Sequence, residues 1–93
     1  MKLPLTFPTK LVAEVRDYGI DWSKDLAETA TTITASNWSS TPAGLTLGTA
    51  VFTNTTTAVR ISSGTSGVTY KVINTVTLSS GETGVTEVNL YVG

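Results

Sequence analysis

Val68–Leu78 (VTYKVINTVTL), the turn cluster Ser79–Gly84 (SSGETG) and Val85–Val92 (VTEVNLYV) decide the fold class. In the first run Tyr70, Val72, Asn74, Val76 and Leu78 share one parity, and Thr69, Lys71, Ile73, Thr75 and Thr77 share the other. Successive side chains of a strand point to opposite faces, so this alternation predicts a half-buried strand. Val88, Leu90 and Val92 alternate with Glu87, Asn89 and Tyr91 in the last run, and the glycine-bearing turn closes the two into a hairpin. Tyr70 opens the longer strand, where its hydroxyl is expected to bond the preceding loop as a tyrosine corner does.

Upstream the same reading gives shorter strands. Ser63–Gly67 (SGTSG) is a turn, preceded by Thr57–Ser62 with Val59 and Ile61 on one face. Leu45–Leu47 and Ala50–Thr53 read as two short strands, after the turn cluster Ser39–Gly44 (SSTPAG). Thr31–Trp38 alternates weakly, with Ile33 and Ala35 assigned to one face. Arg16–Trp22 (RDYGIDW) places Tyr18, Ile20 and Trp22 together, and Asp21 or Ser23 caps a single helical turn over Lys24–Glu28. About seven short strands with turns every 8–12 residues describe a small antiparallel β-sandwich at 11–93. Nothing alternates strands with long helices, which removes a parallel α/β sheet.

Composition agrees. Of 93 residues 19 are threonine, and with ten valines and four isoleucines a third of the chain is β-branched. Such side chains are stiff at χ1 and suit pleated strands. Charged residues are only 14%, and nine of the thirteen lie in residues 1–28. The few on the later strands, Arg60, Lys71 and Glu87, are expected to be the main guards of sheet edges. Edges so thinly defended are tolerable when an assembly covers them.

Several functions drop out. There is no cysteine and no histidine, which removes thiolate or imidazole metal sites, disulfides, a Cys nucleophile and His-based triads. A formal net charge of −1 carries no basic excess for nucleic acid or an anionic membrane. No apolar window is long enough to span a bilayer, and Pro4, Pro8 and Lys10 make Met1–Lys10 a poor signal peptide.

The remaining constellations are weak. Asp17, Asp21, Asp25 and Glu28 would line one face of a continuous helix as a Ca²⁺ or acid/base set, but a strand followed by a turn scatters them. Ser23–Lys24 offers a hydroxyl and an amine with no supporting motif. Gly64–Gly67 lacks the Lys-Ser/Thr of a phosphate loop and precedes a strand. Asn37-Trp38-Ser39 and Asn54-Thr55-Thr56 match the glycosylation sequon, as chance provides in so Thr- and Ser-rich a chain. Trp22, Trp38, Tyr18, Tyr70 and Tyr91 either form a sugar-stacking platform or, the favoured reading, both indoles plug the core, each N–H meeting a backbone acceptor. No catalytic residue, cofactor or metal is expected.

Residues 1–10 read as an extended arm, with Leu3, Leu5 and Phe7 apolar at alternate positions. Such a segment adds as a strand to a neighbour's sheet edge through main-chain hydrogen bonds, the competing reading being a frayed terminus. Tyr91, opposite in parity to Val88, Leu90 and Val92, is the other candidate contact. Leu3, Leu5, Phe7 and Tyr91 are thus the expected partner-binding residues. Serine at the three arm positions is expected to leave the fold intact and weaken assembly.

The run Asp17-Tyr18-Gly19-Ile20-Asp21-Trp22, then Ile33, Trp38 and Pro42-Ala43-Gly44-Leu45, is half of a wider pattern. Ser63-Gly64-Thr65, Gly67, Tyr70-Lys71-Val72 and Asn74-Thr75-Val76-Thr77 ahead of Gly81 supply the other half. Together, over roughly residues 10–92, they resemble the small immunoglobulin-like proteins of tailed bacteriophages and prophages known as fiber–tail adaptors or tail-assembly proteins. The resemblance implies an immunoglobulin-like sandwich in the phage tail or head–tail region of the virion. It also implies a homo-oligomeric subunit made in the host cytoplasm, joining tail, connector or fiber proteins noncovalently. Asp21 and Trp22 carry over as a structural signature, one capping and one packing. The alternatives are a capsid decoration or head–tail completion protein, or a carbohydrate-binding module, which exposed indoles would favour.

Overall fold

The computed structural model describes residues 5–27 and 30–93. The elements are β1 (Leu5–Thr6), β2 (Arg16–Asp21), α1 (Ser23–Ala27), β3 (Ile33–Thr41), β4 (Leu45–Phe52), β5 (Thr56–Ser63), β6 (Thr69–Leu78) and β7 (Thr83–Tyr91). They form two sheets, one ordered β1-β7-β6-β3 and the other β2-β5-β4. Every pairing between these strands is antiparallel except β1 on β7, which is parallel. This is the expected all-β sandwich, with one very short arm strand counted among its seven.

The parity of the last hairpin is as read. Tyr70, Val72, Asn74 and Val76 of β6 and Val88 and Leu90 of β7 are all buried. They face Tyr18 and Ile20 of β2 and Val59 and Ile61 of β5, with Trp22 and Leu26 closing one end. Burying one such aliphatic or aromatic side chain contributes roughly 1.5–3 kcal/mol, so these alternate positions hold the sandwich together.

One polar residue sits among them. Asn74 is fully buried, and its Oδ1 accepts from Trp22 Nε1 at 3.0 Å and from Thr57 Oγ1 at 2.7 Å. Its Nδ2 donates to Ser36 Oγ and to the Asn37 carbonyl, both at 3.0 Å. Two donations and two acceptances satisfy the amide, which is what a buried side-chain amide requires. Asn74 thereby pins β6 to β3, to β5 across the core, and to the end of β2.

Several expectations change. Ile33 and Ala35 do not share a face: Ile33 opposes Leu78 and Ala35 opposes Thr77, because a bulge at Thr34 shifts the register. Beyond it Ser36, Trp38 and Ser40 oppose Val76, Asn74 and Val72 and turn inward. The two short strands expected at Leu45–Leu47 and Ala50–Thr53 are one, β4, which ends at Phe52 and is bulged where Gly48 and Thr49 together oppose Arg60. The Trp22 indole finds a side-chain acceptor, not a backbone one, and the buried Trp38 Nε1 has no acceptor among the described residues.

Local chemistry explains the turns. Asp21 Oδ1 accepts the Ser23 N–H at 2.9 Å, capping α1 as expected. The Tyr70 hydroxyl accepts from the Thr65 N–H at 2.8 Å, the corner bond anticipated for it. Gly44 has φ 137°, and a Cβ there would lie 2.7 Å from that same hydroxyl, so the entry to β4 requires glycine. At Gly84 a Cβ would come within 3.0 Å of the Trp22 ring, so the missing side chain makes room for the indole.

Candidate assembly surfaces

The order of strands gives the sandwich two lateral sides. β1 and β2 border one, and β3 and β4, which follow each other through the turn at 42–44, border the other. On the first side residues 5–10 of the arm are seated on their own sheet. Leu5 and Thr6 pair with Val88 and Asn89, the Phe7 N–H donates to the Asn89 carbonyl at 2.9 Å, and the Lys10 N–H donates to the Tyr91 carbonyl at 3.1 Å. The Phe7 side chain is 9% exposed and its ring stacks on Tyr18 with centroids 4.6 Å apart. Within one chain, then, Phe7 is a core residue. The Tyr18 hydroxyl donates to the Pro8 carbonyl at 3.3 Å, and burial pushes its phenol above the ordinary value.

Lys10 fastens the arm. Its side chain is fully buried, and the ammonium donates to the carbonyls of Ser63 at 2.7 Å, Leu11 at 2.8 Å and Val12 at 3.3 Å. Three donors thus meet three acceptors, which is how a buried ammonium without a carboxylate partner is accommodated. Ser63 has φ 66°, a left-handed conformation costing roughly 1–2 kcal/mol in a non-glycine residue. In the sequence Lys10 is only the end of the arm, because no local pattern marks a lysine whose shortest bond goes to a carbonyl 53 residues away.

Between arm and β2 lies a cleft of about 400 Å³ lined by Phe7, Pro8, Arg16, Asp17, Tyr18 and Gly19. Asp17 is paired with Arg60 through two bonds, Nε–Oδ1 at 2.8 Å and Nη2–Oδ2 at 3.2 Å. The guanidinium holds the Asp17 carboxyl below its usual value and is itself raised. Asp21 is likewise lowered, by the Ser23 bonds. The acidic set is therefore dispersed among an ion pair and a cap. Glu28 lies outside the described residues, and among those described no group of three carboxylates could hold a metal.

The second side is chemically opposite. No charged residue occurs between Glu28 and Arg60, a run that contains all of β3 and β4. The expected edge guards stand elsewhere. Arg60 is on β5 and Lys71 on β6, each the inner strand of a sheet, and Glu87 is on β7 beside Lys71 at 3.5 Å. Val51 and Phe52 of β4 are 61% and 45% exposed.

Of the expected contact residues, Leu3 lies outside the described residues. Leu5 is in β1, Phe7 is buried beneath it, and Tyr91 ends β7 with its ring 44% exposed. Trp22 is 3% exposed and Trp38 half-buried, so neither indole offers the open face a sugar platform needs. No helix among the described residues is long and apolar enough to cross a membrane.

A family model described as podophage GP4 fiber-tail adaptor protein gp77 matches residues 10–91. No curated protein matches the chain.

Proposed function

The chain belongs to the podophage fiber-tail adaptor family, and from that premise we propose that it joins tail parts or fibers in the virion by noncovalent docking. The observation that carries this is the family match over residues 10–91, nearly the whole sandwich. An adaptor needs a rigid body and surfaces, not a reactive centre, and the buried polar groups here serve packing: Asn74 and Lys10 spend their hydrogen bonds inside the fold.

The arm at 1–10 and the adjoining end of β7 form the docking surface in this reading, with Leu3, Leu5, Phe7 and Tyr91 the contributing residues. β1 already uses the main-chain groups of β7 in parallel, so the segment is competent as an added strand, in its own chain or in the identical slot of a neighbour. Several copies act together in the tail, where weak contacts gain from multivalency. The partners are other structural proteins, and assembly takes place in the host cytoplasm before release.

The buried position of Phe7 changes the test. Serine at that position would damage the core, so the informative variant carries Leu3→Ser, Leu5→Ser and Tyr91→Ser with Phe7 kept. Particles assembled with this variant are expected to lose at least about nine-tenths of the adaptor relative to wild type, read by quantitative mass spectrometry of purified virions. Wild-type levels would overturn the docking surface. Wild-type chain found on capsids rather than tails would replace the adaptor reading with a decoration role.

A further inference from the structure

β3 and β4 are edge strands of nine and eight residues, without a charged side chain, on the same side of the sandwich. Each strand carries one bulge, at Thr34 and at Gly48–Thr49, but away from these the uncharged edges present unpaired N–H and C=O groups and are a liability unless something covers them. The other edges differ: residues 5–10 of the arm cover β7 from Val88 to Tyr91, and the six-residue β2 carries Arg16, Asp17 and Asp21.

We propose that the β3/β4 edge is the interface between two copies of this chain. A two-fold axis normal to the sheets lays β3 antiparallel beside β3 of the second copy. The same rotation sets β4 beside its own counterpart, where the bulge at Gly48–Thr49 interrupts the edge, so β3 carries the regular pairing. Closed two-fold contact requires a patch that tolerates its own copy, and an edge without charged side chains meets its counterpart with no like-charge repulsion. A partner strand bearing a charge would lose its hydration against a neutral edge that offers no counter-ion, whereas the edge of a second copy brings none. At net charge −1 two chains repel little. Beyond its bulge β3 runs regularly from Ala35 to Thr41, and pairing that run with itself puts Trp38 on the axis.

The size of the contact sets its strength. Seven strand residues span about 23 Å, and with a molecule 18 Å in its least extent the face covers roughly 400 Å² per copy. That is about half a standard interface, so the expected dissociation constant lies between about 10 μM and 1 mM. On a tail, where neighbours are already held together, such a contact suffices. The pairing goes beyond the adaptor assignment and does not depend on it.

Sedimentation equilibrium of the full chain up to about 1 mM is expected to show the mass rising from 9.7 kDa toward twice that value. Ser39→Lys on β3 and Val51→Lys on β4, both exposed positions, are each expected to weaken the dimer at least about tenfold. Val15→Lys, on the arm side and 61% exposed in the wild type, should leave it within about twofold. Amide exchange on the wild type supplies a second reading, with protection at Ala35–Thr41 growing with protein concentration. A wild type monomeric throughout overturns the proposal, and so do edge variants that dimerise as before or amides whose protection ignores concentration. Those failures leave the adaptor reading intact, since it is measured on particles.

Discussion

The two lateral sides of this sandwich solve the same problem in opposite ways. On the arm side the chain answers part of the edge itself: β1 pairs with the end of β7, Lys10 spends three bonds on carbonyls, and the short β2 carries charges, with Asp17 tied to Arg60. On the β3/β4 side nothing among the described residues answers the edge, and the sequence supplies threonine, serine and alanine where guards would stand. Ordered coverage costs conformational entropy, and the arm meets that cost with a buried aromatic ring and a buried ammonium. The difference teaches that a small domain can close one side upon itself and leave the other available for an equal.

The largest expected effect comes from removing the closure. Phe7→Ala deletes a nine-tenths-buried ring stacked on Tyr18 and should destabilise the chain by about 3 kcal/mol, lowering Tm by at least about 12 °C in calorimetry. An unchanged Tm would mean the arm side is as open as the other. Next in size is Lys10→Met, which keeps the stem and strips the ammonium from the Ser63, Leu11 and Val12 carbonyls. Relief of the ammonium's desolvation offsets part of the loss, leaving a cost of about 1–2 kcal/mol. The specific signature is faster amide exchange at Phe7 and Lys10, whose N–H groups bond β7, with β3 unaffected.

The smallest effect belongs to the exposed Asp17–Arg60 pair. Because the folded carboxyl is held below its ordinary value, its stabilisation is complete above the ordinary carboxylate pKa of 3.8 and fades as pH falls through the folded value. Asp17→Asn should therefore be slightly less stable than wild type at neutral pH, with the difference closing in strong acid when denaturation curves are compared. A difference that persists in acid would show that geometry, not charge, matters at this position.

How much could be read in advance follows from range. The hairpin of β6 and β7 has a period of two and a local turn, so parity alone placed Tyr70, Val72, Asn74, Val76, Val88 and Leu90 inside. The DYGIDW segment was legible for the same reason. What failed were features without a local period: the bulge at Thr34, the bulge at Gly48–Thr49, and the absence of a hydrogen-bond acceptor for Trp38 among the described residues. The candidate contact set divided likewise. Tyr91 emerged exposed as its parity required, whereas Phe7, expected with Leu3 and Leu5 to meet a neighbour's sheet edge, lies in the core of its own chain, stacked on Tyr18.

By itself the sequence determined the class of this protein: β-branched side chains, alternating parity and glycine turns admit a sandwich and little else, since each acts within a few residues. It also determined what the chain lacks, thiols and imidazoles above all. Only the tertiary structure decided which strands became edges. Pairing joins residues far apart in the chain, so composition reports an uncharged stretch but not that it forms one whole side. The same holds for Lys10, whose meaning rests on a carbonyl 53 residues away. Local chemistry chose the strands, and long-range pairing chose where the molecule is open.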